Sequence, residues 1–151
     1  MPDLDALYQE IILDHNRRPR NVGELKDADR TVRTRNPLCA DEMTLWVRFD
    51  GDTVAEARFV AQGCAISKAS ASLMTSAVRG KTRAEVKQLV DQVHRLVTGK
   101  LPESERADLG PLLALSGVAR FPIRVKCASM PWHAMRQVLA GDDGSASLPS
   151  E

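Results

Sequence analysis

The chain has 151 residues, 43% hydrophobic, 27% charged and only 4% aromatic, with a formal net charge of +1. That length suits one domain with a real core, and the scarcity of aromatics leaves aliphatic side chains to fill it. Near-neutral charge gives no electrostatic footing for nucleic acid or a membrane surface, and no segment approaches the ~20 apolar residues that cross a bilayer.

The opening residues, MPDLDALYQE, carry charge where a signal peptide needs an apolar stretch, so the expected location is cytoplasmic. Leu4, Leu7, Tyr8, Ile11 and Ile12 recur at helical spacing behind Asp3, and Pro19 ends the helix they predict. The short basic cluster Arg17, Arg18 and Arg20 reads as a solvated helix end. Residues 31–35, TVRTR, predict a strand. Leu45, Val47 and Phe49 alternate with Thr44, Trp46 and Arg48, Asp50-Gly51 follows, and then Ala57, Phe59 and Ala61 alternate with polar neighbours, which predicts a hairpin.

After Gly63 the pattern changes to SKASASLMTSAV, a helix of small residues stopped by Gly80 and slim enough to pack closely on a sheet. Thr82 and Glu85 make a capping-box signature ahead of an apolar stripe, Val86, Leu89, Val90, Val93, Leu96 and Val97. PLLALSG, after Gly110, is a short apolar turn, and Pro131 is expected at the start of a last helix ending at Gly141. Residues 1–141 read as a single domain. The tail, 142–151, is small and polar without an apolar period, so disorder is expected there.

Three cysteines, Cys39, Cys64 and Cys127, are an odd count at wide separation, which fits free thiols in a reducing compartment better than a disulfide framework. The predicted elements put Cys39 in a loop between strands, Cys64 at a strand-to-helix junction and Cys127 just before the last helix. Each alone reads as a buried thiol. Two of them near helix N-termini would be stabilised as thiolates, which are both nucleophiles and metal ligands. Asp41, two residues after Cys39, could add a carboxylate oxygen; three sulfurs and one oxygen suit tetrahedral zinc, and iron–sulfur chemistry accepts the same set. With no C-x-x-C pair, spacing alone leaves buried thiol, reactive thiol and metal ligand all open.

The segments LYQEIILDHNRRPRN, NPLCADE, FVAQGCAISKASASLMT, DLGPLLALSGVARFP and RVKCASMPW together resemble the SufU-like branch of the iron–sulfur assembly proteins, the superfamily that includes IscU and the N-terminal domain of NifU. The resemblance implies an α+β fold: a small three-stranded antiparallel sheet packed against four to five helices, with the metal site at one exposed end. It places the site cysteines on Cys39, Cys64 and Cys127 and the site aspartate on Asp41. Lys126 stands where scaffold-type IscU proteins carry histidine, as in the SufU-like branch. That branch implies zinc, a sulfur-acceptor role for Cys39, and a thiolate-steadying role for Arg124. The implied partners are a pyridoxal-phosphate cysteine desulfurase of SufS type, which supplies a persulfide, and a downstream Suf assembly scaffold. The alternative on the same residues is an IscU-type scaffold that binds iron and assembles a transient cluster. A zinc hydrolase is a weaker possibility, because no general base or substrate pocket can be nominated.

One departure concerns Ala40, which stands where the family commonly has glycine in Cys-Gly-Asp. If that position needs positive φ, alanine is strained by ~1 kcal/mol or more; if φ is negative it costs nothing. His15, His94 and His133 are expected to be structural or solvated.

Overall fold

A computed structural model describes residues 2–36, 41–141 and 144–147 of the chain. Helix α1 spans Pro2–Arg17, followed by strands β1 (Arg30–Asn36), β2 (Asp41–Asp50) and β3 (Thr53–Gln62). Helices α2 (Ala65–Val78) and α3 (Arg83–Val97) come next; then a 3₁₀ segment, Gly110–Arg120, leads into α4 (Pro122–Leu139) and strand β4 (Gly144–Ser147).

The expected α+β architecture holds. β1, β2 and β3 form an antiparallel meander, and alternation along the strands sends Val32, Leu45, Val47, Ala57 and Phe59 into the core. A register shift between Arg48 and Phe49 precedes the Asp50–Gly51 turn. β4 lies parallel to β1 on its outer side, giving the order β3-β2-β1-β4. The sequence reading expects disorder in this stretch; a strand forms there because its ladder uses backbone groups and needs no apolar period.

The outer edge at β3 carries further backbone bonds. Along β3, the Val54 N–H donates to the Lys81 carbonyl at 2.8 Å, and the Phe59 N–H donates to the Asn21 carbonyl at 3.0 Å. Gly23 N–H returns a bond to the Phe59 carbonyl at 2.9 Å.

Helices α2 and α4 lie against the sheet, and α1, α3 and the long 3₁₀ segment pack around them. α2 is buried on nearly every side, which its run of Ala and Ser permits: small side chains let neighbouring backbones approach. Its buried hydroxyls are paired. Ser70 Oγ donates to the Ala128 carbonyl at 2.6 Å and accepts from Trp132 Nε1 at 3.0 Å, tying α2 to α4. Each such bond contributes about 1 kcal/mol, and leaving either group bare would cost more. On the opposite side, Ser72 Oγ meets His15 Nδ1 at 2.7 Å and accepts the Arg20 N–H at 2.9 Å, tying α2 to α1.

α3 starts as predicted: the Thr82 side chain accepts the Glu85 N–H at 3.2 Å, and Glu85 Oε1 accepts the Thr82 N–H at 2.9 Å. The last helix differs from expectation. It begins at Pro122, and Pro131 lies in its interior. Pro122 follows the rule that proline opens helices, whereas at Pro131 the packing of α4 on α2 and the sheet overrides the missing N–H. Cys127 therefore sits inside α4, 2% exposed, rather than ahead of it. No helix among the described residues is long and apolar enough to cross a membrane.

Candidate metal centre

β1 and β2 are paired to their last rung, which sets Asn36 opposite Asp41 at one end of the sheet, on either side of residues 37–40 in the chain. Cys39 and Ala40 belong to that segment and lie outside the described residues. At the same end, β3 finishes at Gln62 and turns through Gly63 into Cys64, the N-cap of α2. α4 brings Cys127 to this point from its second turn. Three elements with no sequence proximity thus converge because the hairpin and the two sheet-packed helices all terminate or pass there.

The ligand atoms of Asp41, Cys64 and Cys127 lie within 4.8 Å of one another. Cys64 Sγ stands 3.7 Å from Asp41 Oδ2. With zinc–sulfur and zinc–oxygen bonds of ordinary length, a tetrahedral S···O edge is about 3.6 Å, so this edge already has the size a zinc ion requires. Zinc accepts two thiols and a carboxylate together, and the sulfurs set the group apart from the all-oxygen sites of magnesium and calcium. The residues fit such an ion.

Asp41 is 1% exposed, and each of its oxygens has a distinct partner. Oδ1 accepts the backbone N–H of Cys64 at 2.9 Å. Oδ2 accepts the Ser67 hydroxyl at 2.7 Å, and Ser67 Oγ also lies 3.5 Å from Cys64 Sγ. The carboxylate sits at the N-terminal end of α2, where unpaired N–H groups and the helix dipole favour negative charge. Gly63 makes the approach possible. Its φ is +141°, and a Cβ built there would overlap Asp41 Oδ1 and fall 2.6 Å from Cγ. Any side chain would push the carboxylate away. Asn36, fully buried, directs Nδ2 toward Cys127 Sγ at 4.0 Å.

The structure therefore brings together three of the four residues expected at the site. Arg124, expected near it, lies in the first turn of α4, exposed and one turn before Cys127. Ser67, Gly63 and Asn36 were not singled out by sequence reasoning; Gly63 and Ser67 flank Cys64 within QGCAIS, and only the contacts with Asp41 reveal what they do. No histidine joins the group. His15 bonds Ser72 as described, and burial holds its imidazole below the usual range. His133 is likewise pushed down by burial, then by Arg136 and His94, whose ring centroid is 6.4 Å away.

Residues 7–128 match the model of the NifU-like N terminal domain. A Bacillus subtilis (strain 168) protein named zinc-dependent sulfurtransferase SufU is 40% identical over 142 residues, which is 94% of this chain and 95% of that protein. A Streptococcus pyogenes serotype M1 protein named iron-sulfur cluster assembly scaffold protein IscU is 38% identical over 136 residues, 90% of this chain and 84% of that one. Among solved structures, a putative iron-sulfur cluster assembly scaffold protein for the SUF system from Fervidobacterium islandicum AW-1 superposes with a TM-score of 0.81 at 33% identity, covering 86% of this chain and 94% of the other.

Proposed function

The chain belongs to the NifU-like N-terminal domain family, and on that premise we propose that it is a zinc-dependent sulfur acceptor that works with a cysteine desulfurase in iron–sulfur cluster assembly. The observation that carries this reading is the Asp41–Cys64–Cys127 group, whose S···O edge of 3.7 Å matches a tetrahedral zinc site. The SufU relative from Bacillus subtilis, named for zinc and sulfur transfer, supports it. So does Lys126, which cannot ligate as an ammonium at the position to which the resemblance assigns a histidine in scaffold-type proteins.

Asp41, Cys64 and Cys127 would hold the ion, with Cys39 as the fourth ligand. Two residues of chain span at most ~7 Å, so Cys39 is tethered close to Asp41 whatever its own conformation. Bound zinc would supply a redox-inert charge that keeps the thiolates deprotonated at neutral pH.

The transfer itself belongs to Cys39. Its thiolate attacks the terminal sulfur of a persulfide on the desulfurase; a new S–S bond forms on Cys39, the old one breaks, and the desulfurase cysteine leaves as thiolate. Sulfur moves with no net oxidation, and the next acceptor takes it by the same exchange. Arg124, one turn before Cys127 on α4, is the residue to which the resemblance gives the steadying of negative charge during the exchange.

The test measures desulfurase turnover with and without the protein, before and after chelation, alongside metal analysis of aerobically purified material. About one zinc per chain, stimulation abolished by chelation, and no stimulation by Cys39→Ala are expected. Stimulation that persists in Cys39→Ala overturns the acceptor role.

A second reading, a scaffold on which a cluster is assembled, is favoured by the Streptococcus pyogenes IscU relative and by the acceptance of iron by the same donors. Anaerobic reconstitution separates the two: a stable chromophore that passes intact to an apo-acceptor supports the scaffold, and its failure to form supports sulfur transfer.

A further inference from the structure

The geometry points to Ser67 as a positioning residue of the metal centre, one that fixes the oxygen Asp41 would offer to an ion, Oδ2, beside Cys64 Sγ. This inference rests on the reading of Asp41, Cys64 and Cys127 as ligands and deepens it.

Ser67 occupies the third position of α2, where a capping box would carry a glutamate reaching back to the N-cap N–H. Serine is too short for that reach. Asp41 takes the place of the missing glutamate from across the chain: its Oδ1 accepts the Cys64 N–H at 2.9 Å. The Ser67 hydroxyl, released from any capping duty, donates instead to Oδ2 at 2.7 Å and lies 3.5 Å from Cys64 Sγ. It is fully buried, so no water competes for the bond.

The consequence lies in the arithmetic of lone pairs. Oδ1 is committed to a backbone donor and pressed against Gly63, where even a Cβ would overlap it. Oδ2 has two acceptor sites: Ser67 uses one, and the Cys64 thiol donates toward the other, the site an ion would take once that thiol loses its proton. With Oδ1 held by the Cys64 N–H and Gly63, an ion would be offered Oδ2 alone rather than the chelating carboxylate that larger, harder ions prefer. Ser67 also holds Oδ2 and Sγ at their tetrahedral spacing before any ion arrives, so binding needs little rearrangement on this edge.

The experiment titrates the purified full chain with Zn2+ against a chromogenic chelator, and with Co2+ while recording its ligand-field spectrum, for wild type, Ser67→Ala, Ser70→Ala and Asp41→Ala. Loss of the Ser67 donor is expected to weaken metal binding about 10- to 100-fold, the range for partners that orient a ligand. It is also expected to lower the intensity of the Co2+ ligand-field bands, as the carboxylate turns and coordination rises above four. Ser70→Ala removes another buried hydroxyl of the same helix, one bonded to Ala128 and Trp132 and not to Asp41, and should leave both readouts as in wild type, which separates the Ser67 bond from packing. Affinity within about twofold of wild type and an unchanged Co2+ spectrum in Ser67→Ala, or equal losses in Ser70→Ala, overturn the inference. If Asp41→Ala also binds as wild type does, the assignment of the ligands has failed instead.

Discussion

Helices α2 and α3 begin in different ways, although both turn out of the same part of the chain. α3 is closed by its own sequence, with Thr82 and Glu85 exchanging bonds across one turn. α2 has no cap of its own at Cys64; the N–H there is accepted by Asp41, which belongs to β2. A local cap stabilises one helix and does nothing else. A cap borrowed from a strand makes the helix start depend on the sheet, and it gathers a carboxylate, a thiol and a hydroxyl around one point. The second arrangement is weaker as a folding signal and richer as chemistry.

The sharpest way to break this contrast is Gly63→Ala. A residue with a Cβ at φ +141° is strained and collides with Asp41, so stability should fall by on the order of 3 kcal/mol and metal binding should be lost. Chemical denaturation and zinc titration check the two effects separately. Asp41→Ala removes the borrowed cap and leaves the Cys64 N–H and the Ser67 hydroxyl without their acceptor, at a cost of about 2 kcal/mol. Added zinc should raise the melting temperature of wild type but not of this variant.

Thr82→Ala is the matched opposite. It should cost about 1 kcal/mol, while the stabilisation that zinc adds remains that of wild type. If zinc stabilisation falls with it, the two helix starts are not independent. The smallest effect concerns pH. Burial of His15 beside Ser72, together with Arg20, holds its folded pKa below the unfolded value. Its contribution to stability is thus present above the unfolded pKa, about 6.5, and is lost as pH falls toward the folded value. His15→Gln should flatten this part of the stability profile between about pH 7 and pH 5.

What could be read from sequence follows the same division. The start of α3, the hairpin strands and the small-residue character of α2 depend on neighbours a few positions apart, and pattern alone finds them. The position of Cys127 was misread because Pro131 resembles a helix opener; the true opener, Pro122, obeys the same local rule, and only packing decides between them. The pairing of Asp41 with Cys64 and Cys127 came from family resemblance rather than from spacing, since nothing local relates β2, α2 and α4. Ser67 was illegible for a further reason: its hydroxyl matters only through an oxygen brought from another element. Cys39 and Ala40 lie outside the described residues, so the backbone question posed by that alanine stays with the sequence.

The backbone bonds along the outer strands bear on how such a protein stays dispersed. β1 is covered by β4, and β3 is engaged at Val54 and Phe59 by segments from elsewhere in the chain. Among the described residues the margin left over is the four-residue β4, too short to template the edge-to-edge pairing by which sheets aggregate. Encounters with other proteins are then left to side chains rather than to strand edges.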